Sequence, residues 1–214
     1  MRRYDARLMS NAAQANKAAI ILGCITLAEW IWVYFELQTN TFSVFFRYLG
    51  FDRFTPLGSW GWIAALVVTV GWIWYCLHLP SVKKQMFRLS WLKVLALFLA
   101  IAAALCEETV FRKFLMDALD HAGYAILVQL LGSGALFGIL HGIWGFFKKD
   151  FGSVFRIIWI TGILGVGLGV VYLASGRNIV PCIMSHFFIN LFVEPGLMLA
   201  AVNGEMQNSR NKTA

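Results

Sequence analysis

Three short polar clusters interrupt the hydrophobic runs of this chain. They read Glu107-Glu108-x-x-x-Arg112, Phe137-x-x-x-His141 and His186-x-x-x-Asn190. Carboxylates and imidazoles can activate water by accepting its proton, and an amide N–H can stabilise an oxyanion. An ionisable side chain in mid-membrane costs about 2.5–3.5 kcal/mol on insertion scales, so such residues usually mark a functional site. The clusters therefore predict hydrolysis inside a bilayer.

The first cluster places two acidic residues beside a guanidinium. On a helix, Glu108 and Arg112 are i,i+4 neighbours and can form an ion pair, whereas Glu107 points about 100° away from Glu108. One carboxylate can thus be neutralised while the other stays free for chemistry. The competing interpretation is that both acids lie at the membrane surface, after a span that ends at Cys106.

The position of the next turn favours the first interpretation. This turn is expected at His121–Gly123, so Glu107 lies about 22 Å of helix before it and His141 about 28 Å after it. The two side chains can meet in an antiparallel hairpin only if the helix continues through Arg112. We therefore predict that it continues to about Leu119.

The other two clusters supply imidazoles and an amide. His141 could accept a proton or bind a metal. His186 and Asn190 are i,i+4 neighbours on one helical face, and the amide of Asn190 suits an oxyanion. Glu107, His141 and His186 could instead hold a zinc ion whose bound water is the nucleophile. Because the sequence has no HExxH motif, we favour a mechanism without a cofactor, with zinc as the alternative.

The elements that position these residues are transmembrane helices. Of the 214 residues, 59% are hydrophobic and 14% are charged, whereas soluble domains carry about 25% charged residues. The sequence predicts an all-α fold, a polytopic helix bundle with about six spans, in contact with lipid and with no nucleic-acid partner. The apolar runs of spanning length are Ala18–Phe35, Trp60–Leu79, Trp91–Cys106, Tyr124–Phe147, Phe155–Ala174 and Ile179–Val202.

The basic residues predict the orientation of the bundle. Most of the 18 Lys and Arg residues lie in the N-terminal tail, in segments 80–93 and 148–156, and in the C-terminal tail. The positive-inside rule then places both termini in the cytoplasm. We divide the chain into residues 1–90 (a tail and two accessory spans), 91–202 (a catalytic four-helix membrane core) and 203–214 (a polar tail).

The segments EETVFR, FGILH and HFFIN together resemble the CAAX-protease and bacteriocin-processing (Abi) family of glutamic-type intramembrane endopeptidases. That family shows EExxxR, then FxxxH, then HxxxN or HxxxD, and all three elements occur here in this order. The resemblance covers about Trp91 to Val202. The chain is short and lacks additional spans found in the eukaryotic prenyl-protein proteases, so we expect a multi-pass protein of a bacterial inner membrane.

The resemblance also implies roles for the individual residues. Glu107 would activate the hydrolytic water, and His141 would share that task. His186 and Asn190 would bind the carbonyl oxygen as it becomes an oxyanion. The second glutamate and the arginine of EETVFR would form a supporting ion pair.

The predicted function is therefore hydrolysis of a peptide bond in a membrane-associated or lipidated peptide or protein. One alternative is a non-proteolytic bacteriocin-immunity or peptide-binding membrane protein, against which the complete set of polar residues argues. Another is a small proton-relaying transporter, which the absence of an inverted-repeat signal disfavours. The Gly165-x-x-x-Gly169 pattern indicates close helix packing within the bundle, or a homo-oligomer.

Overall fold

The computed structural model describes residues 2–39, 41–51, 59–143, 145 and 151–203, with side chains described from residue 13 onward. The regular elements of these ranges are helices, as the sequence predicted. They are α1 (Arg2–Thr39), α2 (Phe42–Tyr48), α3 (Trp60–Cys76), α4 (Pro80–Gln85), α5 (Trp91–Glu108), a π-helical segment (Thr109–Met116), α6 (Asp117–His121), α7 (Ile126–His141), α8 (Phe151–Ala174) and α9 (Val180–Asn203).

Several of these helices are long and apolar enough to cross a bilayer. Four qualify within the described ranges: Ala13–Thr39 of α1, the continuous Trp91–His121 helix, α8 and α9. The helices α3 and α7 are equally apolar but shorter. The protein is thus an all-α polytopic membrane bundle, and the count of six spans, which requires α3 and α7 to cross as well, stays a prediction.

The third predicted span does not end at Cys106. The helix passes from α5 into the π segment and then into α6, remaining helical to His121. This confirms the predicted continuation beyond Arg112. A π-helix closes i→i+5 turns and is rare, although π turns are frequent at functional sites, and no residue pattern in the sequence indicated one here.

The fourth predicted span, Tyr124–Phe147, is longer than the helix observed. Helix α7 begins at Ile126 and ends at His141, because short 3₁₀ geometry follows at residues 142 and 143. Residues 146–150, which include the predicted end of the span at Phe147, lie outside the described ranges. His141 is therefore the last residue of α7.

Packing places α9 at the centre of the bundle, where it contacts α1, α3, α4, α5 and α8. Helix α5 lies between α1 and α9, and α7 packs along α8. The α7–α8 contact is close because glycines line it: a Cβ on Gly138 would lie 2.2 Å from the Ile158 carbonyl oxygen, and one on Gly165 would lie 2.9 Å from Gly134 Cα. The tight packing predicted for Gly165 is confirmed, and Gly138, which was not predicted, contributes to the same contact.

Candidate active site

The polar clusters of α5, α7 and α9 converge in the interior of the bundle. Five of the six predicted site residues contact one another there through ion pairs or close polar approaches. These five are Glu107, Glu108, Arg112, His141 and His186.

Glu108 lies at the dry centre of this cluster. Its Oε2 is 3.0 Å from Nε of Arg112, and neither side chain is exposed to solvent. Its Oε1 accepts a 2.8 Å hydrogen bond from Nδ1 of His186. A buried carboxylate is tolerated only when it is paired and hydrogen-bonded, and these two partners meet that requirement.

Arg112 is held from the other side by α7 and by aromatic rings. Its Nη1 donates a 2.6 Å hydrogen bond to Oγ of Ser133, whose hydroxyl donates in turn to the Phe111 carbonyl at 3.1 Å. The guanidinium carbon lies 5.4 Å from the centroid of the Phe137 ring and 5.9 Å from that of Phe111. Arg112 therefore ties the π segment to α7 while it neutralises Glu108.

Glu107 occupies a different environment from its neighbour. Its side chain is 20% exposed, and its Oε2 lies 3.7 Å from Nε2 of His141 and 3.9 Å from Nε2 of His186. Both separations exceed a direct hydrogen bond. A carboxylate with two imidazole nitrogens facing it across such gaps has the composition of a water-activating site.

The two imidazoles are oriented by their other nitrogen and by Phe137. Nδ1 of His141 donates to the Phe137 carbonyl at 2.8 Å, and Nδ1 of His186 donates to Glu108. These bonds leave each Nε2 directed toward Glu107. The Phe137 ring stacks on His141 with centroids 4.3 Å apart and meets His186 at 6.0 Å, which explains the Phe in the FxxxH spacing.

A cleft of about 590 Å³ reaches this cluster from one side of the bundle. Glu107 and His141 lie in its wall, which is otherwise mostly apolar. Part of the wall comes from α1, through residues such as Ile21 and Ile25. Sequence reasoning assigned α1 to an accessory region, because it carries no polar motif, and so missed its position beside the site.

Asn190 is the predicted site residue that does not join the cluster. It lies one turn beyond His186 on α9 and is partly buried. Among the described residues, no hydrogen bond joins its side chain to the five clustered residues.

Two further glutamates approach Glu107. Glu29 of α1 and Glu194 of α9 lie within electrostatic range of it. Within the described ranges, Oε2 of Glu29 is buried and has no hydrogen-bond partner. The available signal for Glu29 was its position deep in an apolar run, where an acid needs a partner or water, but its spacing matched no motif.

The structure also bears on the zinc alternative. In the part of the chain that the structure describes, no group of three or more His, Cys, Asp or Glu side chains has an arrangement that could hold a metal ion. Glu107, His141 and His186 are nevertheless the residues that carry suitable donor atoms. Sensitivity of the cleavage activity to a chelator distinguishes the two mechanisms.

Comparison with known families finds one matching family model. The fold and the cluster define a membrane helix bundle with a buried Glu–Arg–His core beside a partly exposed glutamate. Residues 88–192 match the family described as Rce1-like, the type II CAAX prenyl endopeptidases. The chain therefore carries an Rce1-like domain from a protease family, and this domain contains all three motifs. No curated protein and no solved structure matched significantly.

Proposed function

We propose that this protein is an intramembrane endopeptidase that hydrolyses a peptide bond of a membrane-associated or lipidated peptide or protein. The observation that carries this proposal is the contrast between two adjacent glutamates. Glu108 is sealed from solvent by Arg112 and His186, whereas Glu107 faces two imidazole nitrogens at the wall of an open cleft.

Glu107 acts as the general base. A water molecule at ordinary hydrogen-bond distance from Oε2 of Glu107 and from Nε2 of His141 would bridge the 3.7 Å gap between these atoms. Glu107 takes a proton from this water as its oxygen attacks the carbonyl carbon. The same proton then passes to the leaving nitrogen as the C–N bond breaks, so Glu107 returns to its carboxylate form.

His186 and Asn190 stabilise the oxyanion. A protonated His186 can donate from Nε2, and the Glu108 carboxylate at its Nδ1 stabilises that positive charge and fixes the ring, as in other carboxylate–histidine pairs. Asn190 projects from the same face of α9 one turn further along. Hydrogen-bond donors aimed at a developing oxyanion in a water-poor site contribute strongly to catalysis.

The cleft determines the class of substrate. Its walls are mostly apolar, so they favour a lipid chain or an apolar transmembrane segment next to the scissile bond. A polar, freely soluble peptide would gain little from such walls. The substrate is therefore expected to reach Glu107 from the membrane.

The remaining features of the proposal concern location and organisation. We place the protein in a bacterial inner membrane with both termini in the cytoplasm. Residues 91–202 form the catalytic core, residues 1–90 hold the accessory spans, and residues 203–214 form a tail. A homo-oligomer is compatible with this arrangement, and its presence is measurable by crosslinking in membranes.

One experiment tests the reaction. Purified protein in proteoliposomes is incubated with a library of lipidated and transmembrane peptides, and fragments are identified by mass spectrometry. Wild-type protein should release fragments, whereas Glu107→Gln and His141→Ala should not. His78→Ala is the matched control, because His78 is an exposed histidine at the end of α3 whose Nδ1 bonds only the local Tyr75 carbonyl. Fragment release by the Glu107 and His141 variants at the wild-type rate would contradict the proposed protease activity. The peptide-binding alternative would then be favoured.

The same assay tests whether the reaction requires a zinc ion. Treatment with a strong chelator should leave the fragment yield unchanged if Glu107 and His141 activate water directly. Loss of activity with recovery on addition of zinc would replace the metal-free mechanism by the zinc mechanism.

A further inference from the structure

A second polar network lies on the same helix as the catalytic glutamates, at the opposite end of the π segment. We call it the C-terminal clamp. Its members come from α6, α7, α8 and the turn between α8 and α9, and they are Asp117, Asp120, Gln129, Tyr172 and Arg177. The proposed catalytic mechanism uses none of these residues.

Arg177 is the centre of the clamp. Its Nη1 donates to Oδ1 of Asp117 at 2.8 Å, and its Nη2 lies 2.7 Å from both Oδ1 of Asp120 and Oε1 of Gln129. Oδ1 of Asp117 also accepts from the Tyr172 hydroxyl at 2.9 Å. Asp117 and Asp120 lie just after the π segment. The Arg177 guanidinium connects these two acids both to α7 and to the end of α8.

The backbone at Arg177 argues that its side chain has a role. Arg177 has φ of +62°, the left-handed region, directly after Gly176 at +61°. This conformation disfavours any residue with a Cβ, and glycine or asparagine usually occupies it. An arginine at this position is explained by the hydrogen bonds of its guanidinium.

The clamp fixes one end of the π segment, and the catalytic cluster fixes the other. Asp117 directly follows the segment, and Glu108 directly precedes it. Asp117 lies about two and a half α-helical turns beyond Glu108, so an uninterrupted α-helix would put them on opposite faces. The wider π turns rotate the chain so that Glu108 contacts α9 while Asp117 contacts α8 and Arg177 in the turn after it.

We propose that Arg177 and Asp117 are positioning residues for the active site, which act by holding the π segment in register. If the clamp is released, the segment can rewind toward the more stable α form. Arg112 lies within the segment and holds Glu108 from there, so rewinding shifts the orientation of Glu108 and of the adjacent Glu107. This inference rests on the proposed function for its catalytic consequence, but not for its structural consequence.

Cys106 provides a native reporter of that structural consequence. It immediately precedes Glu107, lines the cleft and is partly exposed. Cys76 and Cys182 are buried, and Cys24 is exposed. In a Cys24→Ser background, a small maleimide applied to the folded protein therefore reads the exposure of Cys106.

The test compares Arg177→Gly and Asp117→Asn with Lys113→Gln. Arg177→Gly removes the guanidinium while it relieves the unfavourable φ, so the turn should still form. Lys113→Gln is the matched control, because Lys113 contacts Oδ2 of Asp117 at 3.0 Å within the same helix and its ammonium lies 5.9 Å from the centroid of the Tyr48 ring on α2. Neither contact ties the segment to α7, α8 or α9. We expect alkylation of Cys106 to become roughly tenfold faster in both clamp variants, a factor typical of losing one charge-assisted hydrogen bond, and to stay at the parent rate in Lys113→Gln.

A kinetic readout separates positioning from general stability. Arg177→Gly should lower kcat without raising KM, because no clamp residue lines the described part of the cleft, and Arg177→Lys should recover part of kcat. An unchanged Cys106 rate in folded clamp variants overturns the inference, even if Glu107→Gln is inactive. If the clamp variants are alkylated faster and the wild-type protein also cleaves no peptide, the positioning role is upheld and the proposed function is contradicted.

Discussion

Two carboxylate–guanidinium pairs anchor the ends of the π segment, and they differ in their contact with solvent. The Glu108–Arg112 pair has both side chains fully buried. The Asp117–Arg177 pair leaves 18% of the aspartate and 27% of the arginine side chain exposed. A partner missing from the first pair strands a charge in a dry interior, whereas water can compensate for a partner missing from the second. Loss of one partner should therefore cost more stability in the first pair than in the second, which is suited to adjusting the register of the segment.

The comparison also explains why two adjacent glutamates serve different purposes. The two carboxylate oxygens of Glu108 are engaged by Arg112 and His186, so neither is available to bind a water molecule. Glu107 points away from that pair toward the cleft. The buried pair thus fixes the helix that carries Glu107 without neutralising the Glu107 carboxylate.

The largest expected effect comes from Glu107. Glu107→Gln keeps the size of the side chain but cannot take up a proton, so the cleavage rate should fall by about 10²–10⁴-fold. Its unfolding midpoint should stay close to that of the wild type, because the carboxylate belongs to neither anchoring pair. Peptide cleavage and thermal unfolding in the same proteoliposome preparation check both parts.

Breaking the buried pair should chiefly affect stability. Arg112→Met leaves the Glu108 carboxylate without its cation, which costs about 3–5 kcal/mol of unfolding free energy for a buried pair. The double variant Glu108→Gln/Arg112→Met should recover a large share of that loss, since it removes both charges. A double variant no more stable than Arg112→Met would contradict the assignment of a stranded charge.

Breaking the partly exposed pair should be milder. Arg177→Gln removes charge-assisted hydrogen bonds from a site that water can reach, so we expect a loss of about 1–2 kcal/mol in unfolding free energy. Denaturant unfolding followed by tryptophan fluorescence measures this loss. A loss as large as that of Arg112→Met would remove the distinction between the two ends of the segment.

The smallest effect is expected at Lys113. Its pair with Asp117 is an i,i+4 contact within one helix, with both side chains about one fifth exposed, and such pairs contribute about 0.2–0.5 kcal/mol. Lys113→Gln should therefore match the wild type in both unfolding and cleavage. A clear loss of cleavage would indicate that charge on the π segment matters by itself.

Much of the fold follows from patterns that are local in the sequence. The apolar runs predict the long helices because a bilayer requires about 20 apolar residues per span. The i,i+4 spacing of Glu108 and Arg112 predicts their ion pair, and the depth of Glu107 relative to His141 predicts that the helix continues past Cys106. Each of these inferences uses only the geometry of one helix or of one hairpin.

The features that could not be predicted depend on contacts between distant parts of the chain. Asp117 and Arg177 are 60 positions apart, and neither belongs to a recognised motif. The π segment depends on contacts with other helices, such as that of Arg112 with Ser133 of α7, and its local composition does not signal these contacts. The position of α1 beside Glu107 likewise depends on how the helices pack. Apolar residues of similar shape line several helices, so the sequence does not show which helix α1 packs against.

The central claim is that Glu107 is the base that activates water, and the most direct measurement compares wild-type protein with Glu107→Gln in proteoliposomes. Both proteins are reconstituted at equal folded amounts and given the same lipidated peptide library in water enriched in ¹⁸O. The wild type should release fragments that carry ¹⁸O in the new carboxyl group, and Glu107→Gln should release none above background. Labelled fragments from Glu107→Gln at the wild-type rate would contradict this assignment.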